Sequence, residues 1–174
     1  MKKEDFFLNE MIAVYTDTND EWFGAGMVFK VDDDFLMLKA IDPTGIQDGL
    51  ILYCIKDIVK IERNTLYLQK LKKLMNAKNT SFPDYKICTD DFVKGLLQEA
   101  KKREIIVCIQ LLQSQNCDVM GIVKEINSHS CTILQVNSVA QFDGECQFDL
   151  ENISSIKFDS NESRDINLMI QCEK

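Results

Sequence analysis

Apolar and polar residues alternate with a period of two through most of the chain, the spacing of half-buried β-strands. Met27, Phe29 and Val31 alternate up to a polar turn at Asp32, Asp33 and Asp34, and Phe35 to Leu38 resumes the run. It closes at Asp42, Pro43, Thr44 and Gly45, a strong turn signal. A further run, Leu50 to Ile55, follows Asp48 and Gly49, which read as a tight turn, and Ile58 to Ile61 ends the set. The second half predicts strands over 105–112, 118–126, 131–136, 146–150 and 153–158.

The two sets are related. A shift of 95 residues lays Gly26 and Val28 on Gly121 and Val123, Asp48 and Gly49 on Asp143 and Gly144, and Ile58 and Ile61 on Ile153 and Ile156. No gap is needed from 26 to 63, and the pairs that differ keep their character, as in Val31 with Ile126, Ile41 with Val136 and Tyr53 with Phe148. Apolar and turn positions persist while the surface drifts, the behaviour expected of a tandem duplication. Five short strands per copy are too few for a sandwich, so each copy is expected to bend and close on itself as a small barrel.

Two stretches break the alternation with helical spacing. Between Asn64 and Asn79, Leu66, Leu71, Leu74 and Met75 share one side, with Lys70, Lys72, Lys73 and Lys78 around them. From Asp90, a candidate N-cap, through Arg103, the residues Phe92, Val93, Leu96, Leu97 and Ala100 form a stripe ahead of a basic end. Residues 3–10 are a shorter counterpart before the first copy. The boundary is expected near residue 80, giving 1–79 as a first barrel with a basic helix and 80–174 as a helix with a second barrel.

Composition narrows the function. The 174 residues carry 28 Asp and Glu against 20 Lys and Arg, net -8, which argues against a general duplex-DNA or membrane-surface binder. Residues 1–80 hold 13 acids and 11 bases, whereas 81–174 hold 15 acids and 9 bases. No apolar stretch reaches signal-peptide or membrane-spanning length, so a cytoplasmic protein without membrane contact is expected. Seven cysteines, no two closer than nine residues, fit neither a disulfide framework nor a zinc knuckle and read as small buried hydrophobes. A single histidine, His129 between Ser128 and Ser130, and only seven glycines leave no nucleophile elbow, phosphate loop or dinucleotide fingerprint. Neither enzyme chemistry nor a metal or cofactor is expected.

A leading helix, a five-stranded barrel, a glycine in the second strand, an acid or amide six positions later and a closing Ile-x-x-Ile together resemble the Sm-like family. Gly26, Val28, Val31 and Asp32, and again Gly121, Val123, Ile126 and Asn127, stand where that family's first motif has glycine, two aliphatics and aspartate. The resemblance implies two tandem five-stranded Sm-like barrels, mainly β, each with an associated helix, of a kind that associates edge to edge. Where the family carries a hydrophobic residue and an asparagine that read uridine, this chain has Phe35 and Leu36, then Ser130 and Cys131. Neither leucine nor cysteine presents an amide to a base edge, so the family's RNA site is expected to be absent.

Two readings stay open. In the first, the protein acts through contacts with a protein partner or with its own copies, and Trp22 and Phe23 are the candidate partner-binding pair. In the second, RNA binds the basic helix through Arg63, Lys70, Lys72, Lys73 and Lys78, with Tyr67 as a stacking surface.

Overall fold

The computed structural model describes residues 1–16, 23–87, 91–112 and 118–172. The chain is mainly β and divides into two compact units, Met1–Asp84 and Tyr85–Lys174.

The first unit contains strands β1 (Met11–Tyr15), β2 (Gly24–Val31), β3 (Phe35–Ile41), β4 (Gln47–Cys54) and β5 (Lys60–Arg63), then helix α1 (Leu66–Lys78). All pairings are antiparallel, in the order β5-β1-β2-β3-β4. Alternation gives the sheet two apolar faces. One gathers Ile12, Val14, Val28, Leu36, Leu38, Ile51 and Tyr53 with Phe6. The other gathers Ala13, Tyr15, Ala25 and Ile41 beneath Leu68, Leu71 and Met75 of α1. Thr65 caps α1, its side chain accepting from the Leu68 N–H at 3.3 Å, and Asn79 ends it in the left-handed region.

The second unit begins with helix α2 (Phe92–Arg103), followed by β6 (Ile106–Leu111), β7 (Asp118–Ile126), β8 (Ser130–Val136), β9 (Phe142–Asp149) and β10 (Ile153–Phe158). The strand order is β10-β6-β7-β8-β9, and helix α3 (Asn161–Cys172) follows. Asp91 is the N-cap of α2, accepting from the Lys94 N–H at 2.9 Å; Asp90 lies outside the described residues. The predicted helical stripe of Phe92, Val93, Leu96, Leu97 and Ala100 is buried. Tyr85 lies edge-on to Phe158 and donates to Asp159 at 2.9 Å.

Pair for pair, the two units match at the shift of 95. Val14 pairs Ile61 and Ile109 pairs Ile156; Met11 pairs Met27 and Ile106 pairs Ile122. The ladder slips between Val28 and Lys30, and again between Val123 and Glu125. Gly26 and Gly121 stand beside these slips because the neighbouring strand passes too close for a side chain. A Cβ at Gly26 would meet the Lys39 carbonyl oxygen at 2.3 Å, and one at Gly121 the Leu134 oxygen at 2.0 Å.

Several expectations change. Asp48 and Gly49 are not a hairpin turn: they lie inside β4, where Gly49 at φ +73° forms a bulge opposite Ala40, and Asp143 and Gly144 repeat it in β9. The sheets do not close into barrels. Among the described residues, β4 makes no ladder with β5, nor β9 with β10. The last two strands of each unit are joined by a 3-10 turn rather than by a two-residue hairpin that would set them side by side. In the first unit that turn, Ile55–Asp57, spans the gap, sending Ile55 and Ile58 into the core. The expected counterpart helix over 3–10 is only a 3-10 turn, Lys3–Asp5. Helix α3 is absent from the sequence reading altogether.

Free thiols at Cys54 and Cys131 are buried, and burial pushes the Cys131 thiol up to about 11. Cys172 is exposed, and Cys88 and Cys117 lie outside the described residues. Among the described residues no helix is long and apolar enough to cross a membrane.

Candidate functional site

The candidate RNA-binding residues do not form one surface. Lys70, Lys72, Lys73 and Lys78 are all exposed on α1. At about 100° per residue, however, Lys70 and Lys73 lie toward one flank of the helix, with Tyr67, and Lys72 lies on the other. Lys72 lines a cleft of about 190 Å³ with Asn9, Glu10, Asn64 and Gln69. Lys78 stands near Asp42 at the far end. Arg63 is engaged within its own unit: its guanidinium pairs with Glu10 at 3.2 Å and donates to the Asp5 carbonyl.

What the fold does assemble is an aromatic cluster where β1, β2 and α1 meet. Phe23 lies 5.1 Å from Tyr15, centroid to centroid, and edge-on to Tyr67 at 5.3 Å. Lys70 stands 5.9 Å from the Tyr67 ring and Lys60 3.8 Å from that of Tyr15. Glu62 answers this charge, pairing with Lys60 at 3.5 Å and accepting from the Tyr15 hydroxyl at 3.0 Å. Burial, then the Asp42 carboxylate, raises the Tyr67 hydroxyl above the ordinary tyrosine value. Phe23 is thus half anchored and 37% exposed, while Trp22 lies outside the described residues. Tyr15 and Lys60 meet only across the β1–β5 ladder, and no local spacing marks them as a pair.

Of the positions that the Sm-like resemblance sets against uridine readers, Leu36, Ser130 and Cys131 are buried and Phe35 is half-buried. Asp32 and Asn127 spend their side chains on their own turns. Asp32 accepts from the Asp34 and Phe35 N–H groups, which makes the aspartate run a hairpin turn. Ser128, His129, Asp149 and Glu151 line a cleft of about 360 Å³ in the second unit, but their side chains make no hydrogen bond or ion pair with one another. No nucleophile–base pair is set there.

The strand edges are the remaining feature. β9 is eight residues long and ends the strand order of its unit, with Phe142, Asp143, Gly144, Glu145, Gln147 and Asp149 exposed. The short β5 ends the order of the first unit. Compared with protein-family models, curated proteins and solved structures, the chain matches none.

Proposed function

We propose that this is a non-enzymatic cytoplasmic protein, a tandem duplication of one Sm-like fold, that works through contacts with a protein partner or with its own copies. The duplication is supported by ladder slips, bulge glycines and turn-binding side chains that recur 95 residues apart. The strand order within each unit and the glycine beside the second-strand slip favour the Sm-like reading.

The exposed edge of β9 carries the functional reading. A long edge strand presents unpaired backbone donors and acceptors, a template for another strand. Natural edges are guarded by bulges, prolines or charged side chains; this one carries a bulge at Gly144 and acids at Asp143, Glu145 and Asp149, which restrict the strands it can accept. Its charge disfavours pairing with itself and favours a neutral or basic edge. Light scattering on the eluted protein tests the reading: the mass is expected to rise above that of a monomer with concentration, and a strict monomer throughout the micromolar range overturns it.

One observation favours RNA as a second reading, the adjacency of Phe23, Tyr67 and Lys70. Binding of labelled oligouridylate that weakens steeply with salt and disappears in Lys70→Glu/Lys73→Glu would support it; undiminished binding in that variant would sink it.

A further inference from the structure

The trailing helices occupy the same place in the two units. Leu71 and Met75 of α1 and Ile166 and Ile170 of α3, 95 residues apart, are the buried residues that seat each helix on its sheet. Their flanks therefore correspond, and the charge on them is inverted. In α1 the flank holds Tyr67, Lys70 and Lys73; in α3 the same positions hold Glu162, Asp165 and Leu168. No acid lies on α1. The one arginine on α3, Arg164, is turned back onto Asp159 at 3.1 Å and Asn161 at 3.0 Å. Each helix also exposes large apolar side chains, Leu66 at 83% on α1 and Leu168 at 60% and Met169 at 40% on α3.

We infer that α1 of one copy docks on α3 of a second copy, Lys70 and Lys73 facing Glu162 and Asp165 while Leu66 covers Leu168 and Met169. This rests on the self-association reading and names a surface for it. The charges decide the partner: α1 on α1 or α3 on α3 would press like charges together, so the contact is heterologous and each copy retains one helix for the next. One helix face on another lies at the small end of specific interfaces, so the association is weak and concentration-dependent.

The test reverses each helix in the full chain, at exposed positions that leave both cores intact. Lys70→Glu/Lys73→Glu and Glu162→Lys/Asp165→Lys are each expected to weaken self-association by about tenfold or more in light scattering. Mixing the two variants, or combining all four changes in one chain, restores opposite charge across the contact and is expected to recover assembly. If wild type assembles and the reversed variants assemble equally well, the helix contact is wrong while self-association stands, through another surface such as the β9 edge. A wild type that remains monomeric removes both. Should that monomer bind oligouridylate and lose it on Lys70→Glu/Lys73→Glu, the α1 face belongs to RNA and the docking proposal falls.

Discussion

The tightest constraints in this chain are held by single residues whose reason is visible only when strands are paired. Gly26 and Gly121 face backbone carbonyls that cannot retreat without breaking their ladders. Alanine at either is expected to cost about 2 kcal/mol or more in chemical denaturation, within the range of overpacked sites. Gly144 is the contrast: nothing lies within 4 Å of a Cβ there, so Gly144→Ala carries only the strain of φ +73°, about 1 kcal/mol. Asp42 shows the same dependence on a partner. Burial alone would raise its carboxyl, but the Ile46 N–H, the Thr44 hydroxyl and N–H, and Lys78 outweigh it and hold the group below the ordinary aspartate value. A depressed carboxyl contributes stability above its unfolded value and loses it as pH falls through its folded one. In the second unit Asn137 binds the Val139 and Gln141 N–H groups, each at 3.0 Å, in the corresponding turn without any charge. Asp42→Asn is therefore expected to keep the turn bonds but lose the carboxylate's added contribution, lowering stability slightly near neutral pH, leaving it unchanged at acid pH, and so flattening the acid limb of a stability-versus-pH curve. Asp42→Ala loses the turn bonds and is expected to cost about 1–2 kcal/mol at neutral pH.

At the scale of elements, the period of two located the strands, and the stripes of α1 and α2 announced themselves through Leu71 and Met75 and through Phe92, Leu96 and Ala100. α3 escaped because only Ser163, Ile166 and Ile170 are buried on it, among residues as polar as a tail. The signal existed: carrying the shift of 95 past Arg63 lays 161–172 on α1. Ile166→Ala tests whether α3 is structure or tail, with an expected loss of about 2–4 kcal/mol, comparable to Leu71→Ala, against none for a loose terminus. Asp-Gly misled for a physical reason, since a positive φ serves a bulge as well as a turn and only the register tells them apart. The site was less legible than the fold. Four lysines on one helix read as a patch, yet a helix turns them to different sides, and Arg63 is claimed by Glu10 from 53 residues away. The clustering of Tyr15, Phe23 and Tyr67 is likewise a product of strand pairing and helix docking, which no local spacing encodes.

For the molecule as a whole, charge sets the terms on which copies can meet. Each carries net -8, so two copies repel at long range, while the lysines of α1 and the acids of α3 and β9 attract at contact. Salt separates these because screening acts first on the longer distance: the Debye length is about 30 Å at 0.01 M and about 8 Å at 0.15 M. Association is therefore expected to strengthen between those concentrations, as whole-molecule repulsion is removed, and to weaken again toward about 1 M, where the length of about 3 Å reaches the contact charges themselves. Pairing of the β9 edge with a neutral strand predicts a different curve, rising and then level, since no opposite charges face each other across that contact. Sedimentation across that salt range distinguishes the two. A maximum assigns part of the binding to opposite charges at contact, and its disappearance in Lys70→Glu/Lys73→Glu would place those charges on α1.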